Sequence, residues 1–405
     1  MPTDAHPATT DVLTLGDRHA LAIIDRSGTL SAVPLVGVGD DRRRAAPGDG
    51  ASGALVRMIA DTPGRARHGR FSVVSWTDTG PQGSERPITV DQTNESVVVG
   101  DRAVVKWATH LEPGPHPAPG RLAVLAAAGF SAMPPPLGVI TWTPDGGAET
   151  LVATVTGYLP GAVDGWTWAK EMFTGAASSG DLTTVTATFA TLGGLVADLH
   201  AAMSSTAVRS TAADARRWRD NAVATLAEAR SLAAPATAAL LTERADEITA
   251  LLDGLADLVD VPILDAHGDL HVGQVLRSGD RLVLTDFDGN PVLHPTERVR
   301  PVPAAVDLAG LLQSVCHVAV VTAKRAAPDP DRLRAVDTAS RTALREAYLR
   351  RLAETGHADL HLEAAVPALR LQQVLREIVY AARHLPRWMY VPDAALPALL
   401  SETSR

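Results

Sequence analysis

The 405-residue sequence holds a single cysteine, Cys316. That excludes an internal disulfide framework and suits a reducing compartment such as the cytoplasm. Aromatic residues make up only 4% of the chain, so any local group of rings stands out. No uninterrupted apolar run reaches the ~18 residues of a membrane span, so no membrane partner is expected. The opening segment, MPTDAHPATTDV, lacks a basic stretch followed by an apolar one, so no secretory signal is expected. Positive charge is also scarce: 37 Lys and Arg stand against 46 Asp and Glu, a net charge of −9. Such a surface repels a phosphate backbone and argues against nucleic acid as a partner. What remains is 46% apolar and 20% charged, ordinary for a globular chain long enough for more than one folding unit. A monomer or a homodimer is expected.

The chain changes character along its length. Residues 1–88 read as a β-rich cap, with short strands in LTLGDRHALAIIDRSG and RFSVVSW, a charged Gly-rich loop at DDRRRAAPGDGASGA, and a breaker-rich connector at 77–87. Residues 89–162 read as a second, small β-rich lobe. Two strand-like runs in ITVDQTNESVVVGDRAVVKWATHL meet at Gly100-Asp101, and LVATVTGYL supplies another strand. From 163 to 405 apolar residues recur at helical spacing, as in TVTATFATLGGLVADLHAAMS. One segment interrupts these helices. DAHGDLHVGQVL (265–276) is a polar loop, and VLRSGDRLVL after it reads as a hairpin.

That segment concentrates acid and amide oxygens. Gln274 follows Asp269 by five residues, and Asp286 and Asp288 follow the apolar strand RLVLT. Mg²⁺ takes hard oxygen ligands of this type and shares its shell with water and substrate phosphates. Zn²⁺ would need more nitrogen or sulfur than His267 and His271 supply. The order His267-Gly268-Asp269-x-x-x-x-Gln274, then Asp286-Phe287-Asp288-Gly289, matches the spacing of a phosphoryl-transfer loop and its metal ligand, with Gln in place of Asn. In that chemistry Asp269 orients the attacking hydroxyl and accepts its proton, and Gln274, Asp286 and Asp288 are the metal candidates. Lys106, ending the strand DRAVVKW, is placed to steady the phosphates of ATP. Asn94 and Ser96 in the preceding loop DQTNES could donate hydrogen bonds to phosphate. Val155 and Tyr158 would mark the hinge beside adenine. Asp307 and His200 read as buried anchors rather than as catalysts.

These pieces resemble the aminoglycoside-phosphotransferase-like kinases, and bacterial maltokinases more narrowly. The matching stretches are DQTNESVVVGDRAVVKW, GYLPGAVDGW, HGDLHVGQVL, DFDGNP, DLAGLLQS and EIVYAARHLPRWMYVP, spread over 91–392. The resemblance implies a two-lobed, protein-kinase-like α/β fold with an N-terminal cap and a large helical C-terminal lobe. It also implies ATP, Mg²⁺ and a sugar acceptor. Asp265-Ala266 stands where maltokinases carry Arg-Ile, and DFDGNP differs from their Asp-Phe-Glu-Gly-Glu-Pro. The helix after Lys106, HPAPGRLAVLAAAGF, lacks the Glu that usually pairs with the lysine. The pattern is similar to that of the actinobacterial glucosamine kinases, with maltose and aminoglycosides as alternative acceptors and a non-catalytic binding protein as a further one.

An amino sugar is cationic near neutral pH and calls for carboxylates and an aromatic face. QQVLREIVYAARHLPRWMYVP offers both. Gln373, Glu377 and Tyr380 share one helix face, and Trp388 and Tyr390 follow the stop at Pro386. Asp265 and His271 complete the expected acceptor set.

Overall fold

A computed structural model describes residues 8–80, 83–88, 95–112 and 114–403. The expected phosphate contact Asn94 lies outside them. The chain divides into two compact units, one of residues 1–162 with 287–299 and the other of 163–286 with 300–405.

The first unit carries two antiparallel sheets. One runs in the order β1-β2-β3-β4, from Ala8–Thr14, His19–Arg26, Thr29–Val36 and Arg43–Arg44. The other holds β5 (Arg65–His68), β6 (Phe71–Ser75), β7 (Glu85–Ile88), β8 (Glu95–Val99), β9 (Ala103–Trp107), β10 (Pro136–Trp142) and β11 (Thr150–Gly157). Its order is β5-β6-β10-β11-β9-β8-β7. The division expected at 88 therefore falls inside a sheet, where Ile88 pairs with Ser96. Leu21 and Ile23 of the first sheet, Leu55 and Ile59, and Val97, Val105 and Trp107 of the second belong to one buried apolar cluster. A single core thus spans the expected cap and the expected small lobe, and burial of both sheets' inner faces joins them. Helix α1 (Ala51–Ala60) begins inside the expected Gly-rich loop. Glu85 accepts backbone N–H bonds from Gly48, Gly50 and Gly53 at 2.8, 3.0 and 2.8 Å, which satisfies donors a helix start leaves open. Helix α2 (Pro117–Ala127) starts with proline at its first position, where no N–H is needed.

The second unit is helical. It holds α3 (Gly165–Ser179), α4 (Thr183–Met203), α5 (Ala212–Leu232), α6 (Pro235–Glu243) and α7 (Ala245–Asp253). A short β12–β13 pair (Val208–Arg209, Pro262–Ile263) and the hairpin β14–β15 (Val275–Ser278, Arg281–Leu284) precede the crossing into the 287–299 segment with its short α8 (Pro295–Arg298). That segment, expected in the C-terminal lobe, belongs to the first unit. Then come α9 (Ala305–Ala326), α10 (Pro330–Glu354), α11 (Val366–His384) and α12 (Tyr390–Thr403). The sequence shows no uninterrupted apolar run of membrane length, yet among the described residues two helices, Thr183–Thr206 and Ala305–Ala326, are long and apolar enough to cross one. For α9 the reason is core packing: 78% of that stretch is buried, against α3, α10, α11 and α12.

Candidate active site

In the first unit, the neighbouring strands place Ser96 and Thr154 directly beside Lys106. Lys106 Nζ lies 2.9 Å from Asp288 Oδ2, and both side chains keep about a quarter of their surface exposed. The counter-charge that α2 does not supply as a glutamate thus comes from Asp288. Asp288, expected as a metal ligand beside Gln274 and Asp286, is paired with Lys106 here. Helix α2 contributes Arg121, which is buried and donates to the carbonyls of Phe287 and Arg298 at 3.1 and 3.4 Å. Gly289 sits at φ +73°, and a Cβ there would come within 2.8 Å of Arg298 Cγ. Only glycine lets the chain turn under these arginines.

The expected hinge residues are placed differently. Val155 is fully buried and paired on both sides, with Gly138 and Val105, so its backbone belongs to the sheet. The Tyr158 N–H donates to the Arg102 carbonyl at 2.8 Å, and its ring lies under the Arg86 guanidinium at 4.9 Å.

In the second unit the loop bearing Asp269 is anchored from beneath. Asp307, fully buried at the start of α9, accepts the N–H groups of His267 and Gly268, each at 2.8 Å. His200, also fully buried, bridges Asp307 and the Tyr348 hydroxyl at 3.1 and 2.9 Å. Burial opposes charge on Asp307, yet these partners hold its carboxyl below the usual range. His267 Nε2 bonds the Thr285 carbonyl at 2.9 Å and so ties the loop to β15. Gly310 allows α9 to approach closely, since a Cβ there would meet the Leu270 carbonyl at 2.7 Å.

On this platform, burial and then the neighbouring Asp286 push the Asp269 carboxyl up to about 8. Gln274 Nε2 lies 3.2 Å from Asp286 Oδ2. Asp286 has φ +64°, a left-handed conformation that a non-glycine residue adopts at a cost, often at functional sites. Among the described residues no three His, Cys, Asp or Glu side chains group to hold an ion by themselves. Gln274 and Asp286 instead offer a sparse set of hard oxygens, which fits Mg²⁺ completed by water and phosphate better than an all-protein cage.

A second cluster, in the same unit, surrounds Glu377. Gln373 Nε2 lies 3.4 Å from its Oε1, and the Trp388 indole N–H donates to its Oε2 at 3.2 Å. His317 Nδ1 approaches Oε1 to 3.2 Å. Burial disfavours the charge, but His317 and the indole N–H outweigh it and keep the carboxyl below its ordinary range. Trp388 packs edge-on against Trp166 at 5.5 Å and against Tyr390 at 6.1 Å, and Trp166 lies 6.3 Å from His271. His271 Nδ1 accepts the Gly273 N–H at 3.0 Å, and burial pushes its pKa down to about 4, so the ring is neutral. The electrostatic neighbours of Asp269 include Arg376 and Glu377.

Two expected acceptor residues make other contacts. Tyr380 is 42% exposed and stacks on His384. Asp265 donates its N–H to Thr206 Oγ1 at 3.0 Å. Trp166, His317 and Arg376 were not anticipated. The only sequence signal for Trp166 was its place at the end of GYLPGAVDGW.

No protein-family model matches the chain. It is 52% identical over 396 residues to a glucosamine kinase of Mycolicibacterium smegmatis, covering 97% of this chain and 98% of that one. A glucosamine kinase of Streptacidiphilus jiangxiensis is 40% identical, with 96% and 91% covered. A solved glucosamine kinase in complex with glucosamine, ADP and inorganic phosphate superposes with a TM-score of 0.86 at 37% identity, covering 99% of this chain and 96% of that one. A second crystal form superposes at 0.88 and 36%, covering 98% and 94%. The chain belongs to the glucosamine kinase family.

Proposed function

We propose that this ATP-dependent sugar kinase transfers the γ-phosphoryl group of ATP to a hydroxyl of glucosamine, and that it works in the cytoplasm, where ATP is supplied. Asp269 orients the acceptor hydroxyl and takes its proton. In the metal-free chain, burial and the neighbouring Asp286 raise the basicity of this carboxyl, which suits a group that takes a proton from the hydroxyl. Asp307 holds the loop so that this carboxylate meets the hydroxyl in one geometry. Lys106, with Ser96 beside it, steadies the phosphates of the nucleotide. Gln274 and Asp286 would hold Mg²⁺, which when bound neutralises phosphate charge.

The observation that carries the choice of acceptor is Glu377, a largely buried carboxylate kept charged and bonded by Trp388, whose ring packs on Trp166. A neutral sugar would leave that charge uncompensated when it closed off the solvent, whereas an ammonium group at C2 compensates it. Gln373 orients the same carboxylate, and His271 and Tyr390 extend the aromatic wall.

The test of the catalytic assignment is Asp269→Asn. It should lower kcat by about 10²–10⁴-fold, the usual weight of a general base. Calorimetric ATP binding should persist. Substantial turnover in this variant would reject the role.

A further inference from the structure

Behind Glu377 lies a row of polar side chains that the reaction as described does not use. His317 and Gln313, one helical turn apart on α9, are fully buried. His317 Nδ1 is 3.2 Å from Glu377 Oε1, and its Nε2 is 3.1 Å from Gln313 Nε2. Gln313 Oε1 accepts from Arg370 Nε at 3.3 Å. Arg370 Nη1 pairs with Glu402 Oε2 of α12 at 2.8 Å. Polar groups this deep cost free energy unless each is held by the next, and a packed apolar core would be simpler to build. The row runs from α12 through α11 and α9 and ends on one oxygen of Glu377.

The hydrogen-bond directions follow from the partners. Gln313 gives its carbonyl oxygen to Arg370, so its amide nitrogen faces His317 and donates to Nε2. Nε2 is then an acceptor, which leaves the ring N–H on Nδ1, the nitrogen 3.2 Å from Glu377 Oε1. The other carboxylate oxygen, Oε2, is turned toward Trp388.

We propose that His317 is a positioning residue for acceptor recognition: with its tautomer set by Gln313, it fixes the carboxylate of Glu377 in the orientation that receives the sugar's ammonium group. This rests on the reading of Glu377 given above. His317 acts through Glu377 alone, so it contributes to acceptor affinity and not to the transfer step.

The experiment is a double-mutant cycle on the full chain, read as separate KM and kcat values for glucosamine and for ATP. Glu377→Gln should raise KM for glucosamine by about tenfold or more, the weight of a hydrogen-bonded charge. His317→Ala should raise the same KM about tenfold, with kcat and KM for ATP within about threefold of the parent. The double variant should be no worse than Glu377→Gln, because the two residues form one unit. His317→Asn, whose amide nitrogen falls near the place of Nδ1, should restore much of the affinity. His317→Gln, whose nitrogen falls near Nε2, should not, although it fills the space better. Multiplying effects in the double variant, or rescue by Gln as good as by Asn, would overturn the inference. Normal KM in His317→Ala beside a raised KM in Glu377→Gln would overturn it while leaving the role of Glu377 intact. Normal KM in Glu377→Gln would reject the role of Glu377 and the inference with it. Should His317→Ala fail to fold, the Asn and Gln variants decide the matter.

Discussion

The two units hold their charged groups on opposite terms. In the β-rich unit, Lys106 faces Asp288 at 2.9 Å, Arg298 faces Glu112 at 2.8 Å, and Arg121 is capped by two carbonyls. Charge there is matched before any ligand arrives. In the helical unit, Asp269 and Asp286 oppose each other, Asp269 is pushed up to about 8, and Asp286 adopts a left-handed backbone conformation. One unit carries a balanced clamp. The other stores electrostatic and backbone strain at the proposed catalytic loop, a common exchange of stability for function. What keeps the strained loop from relaxing is the Asp307 anchor beneath it, a buried carboxylate that accepts from the N–H groups of His267 and Gly268 and from His200.

Removing that anchor is the most severe way to break the contrast. Asp307→Ala leaves the N–H groups of His267 and Gly268 and the ring of His200 without their acceptor. It should cost about 3–5 kcal/mol of stability, as for other buried charged networks. Urea denaturation measures this, and a loss under about 1 kcal/mol would show that the anchor is dispensable.

Breaking the balanced side should act on rate and leave stability almost untouched. Lys106→Met should lower kcat/KM for ATP by about 10²–10³-fold, the effect of losing one charge-stabilising donor. The partly exposed pair contributes about 0–1 kcal/mol to folding, so the urea midpoint should barely move. Initial rates and a denaturation curve on the same preparation check both halves.

Relieving the strained side should give the smallest change, with a telling sign. Asp269 keeps its proton in the folded chain up to about pH 8 and releases it in the unfolded chain near 3.8. Proton uptake therefore favours the folded state, and stability conferred by this group falls as pH rises from about 4 to about 8. Asp286→Asn removes the opposing charge and lowers the Asp269 pKa, and Asn tolerates the left-handed backbone. In EDTA the variant should be more stable than the parent at pH 8 by about 1 kcal/mol and closer to it at pH 5, while turnover is lost. A parent that is the more stable of the two at pH 8 would contradict the strain.

The comparison also explains which features the sequence made legible. Asp269, Gln274 and Asp286 were readable because a loop and a hairpin fix their neighbourhood through spacing alone. Gln373, Glu377 and Trp388 were readable because one helix and its stop carry them. Trp166, His317 and Arg376 were not, since helix packing and not spacing brings them to the site. Tyr380 fits the same helical period as Glu377 but rotates to the exterior, where periodicity cannot separate it from its neighbours. The break expected at 88 followed a change in composition, and the pairing of β7 with β8 overrode it. The Asp288 partner of Lys106 comes from 182 residues away, through a segment that composition assigned to the other unit.

The central claim is that a free amino sugar is the phosphoryl acceptor. The most direct test is the initial rate of ADP release with Mg-ATP and glucosamine, beside N-acetylglucosamine, glucose, maltose and kanamycin. The account predicts strong turnover with glucosamine and little with N-acetylglucosamine, which keeps the ring and hydroxyls and loses the cation that Glu377 reads. Equal turnover with the two, or preference for maltose or kanamycin, would contradict it.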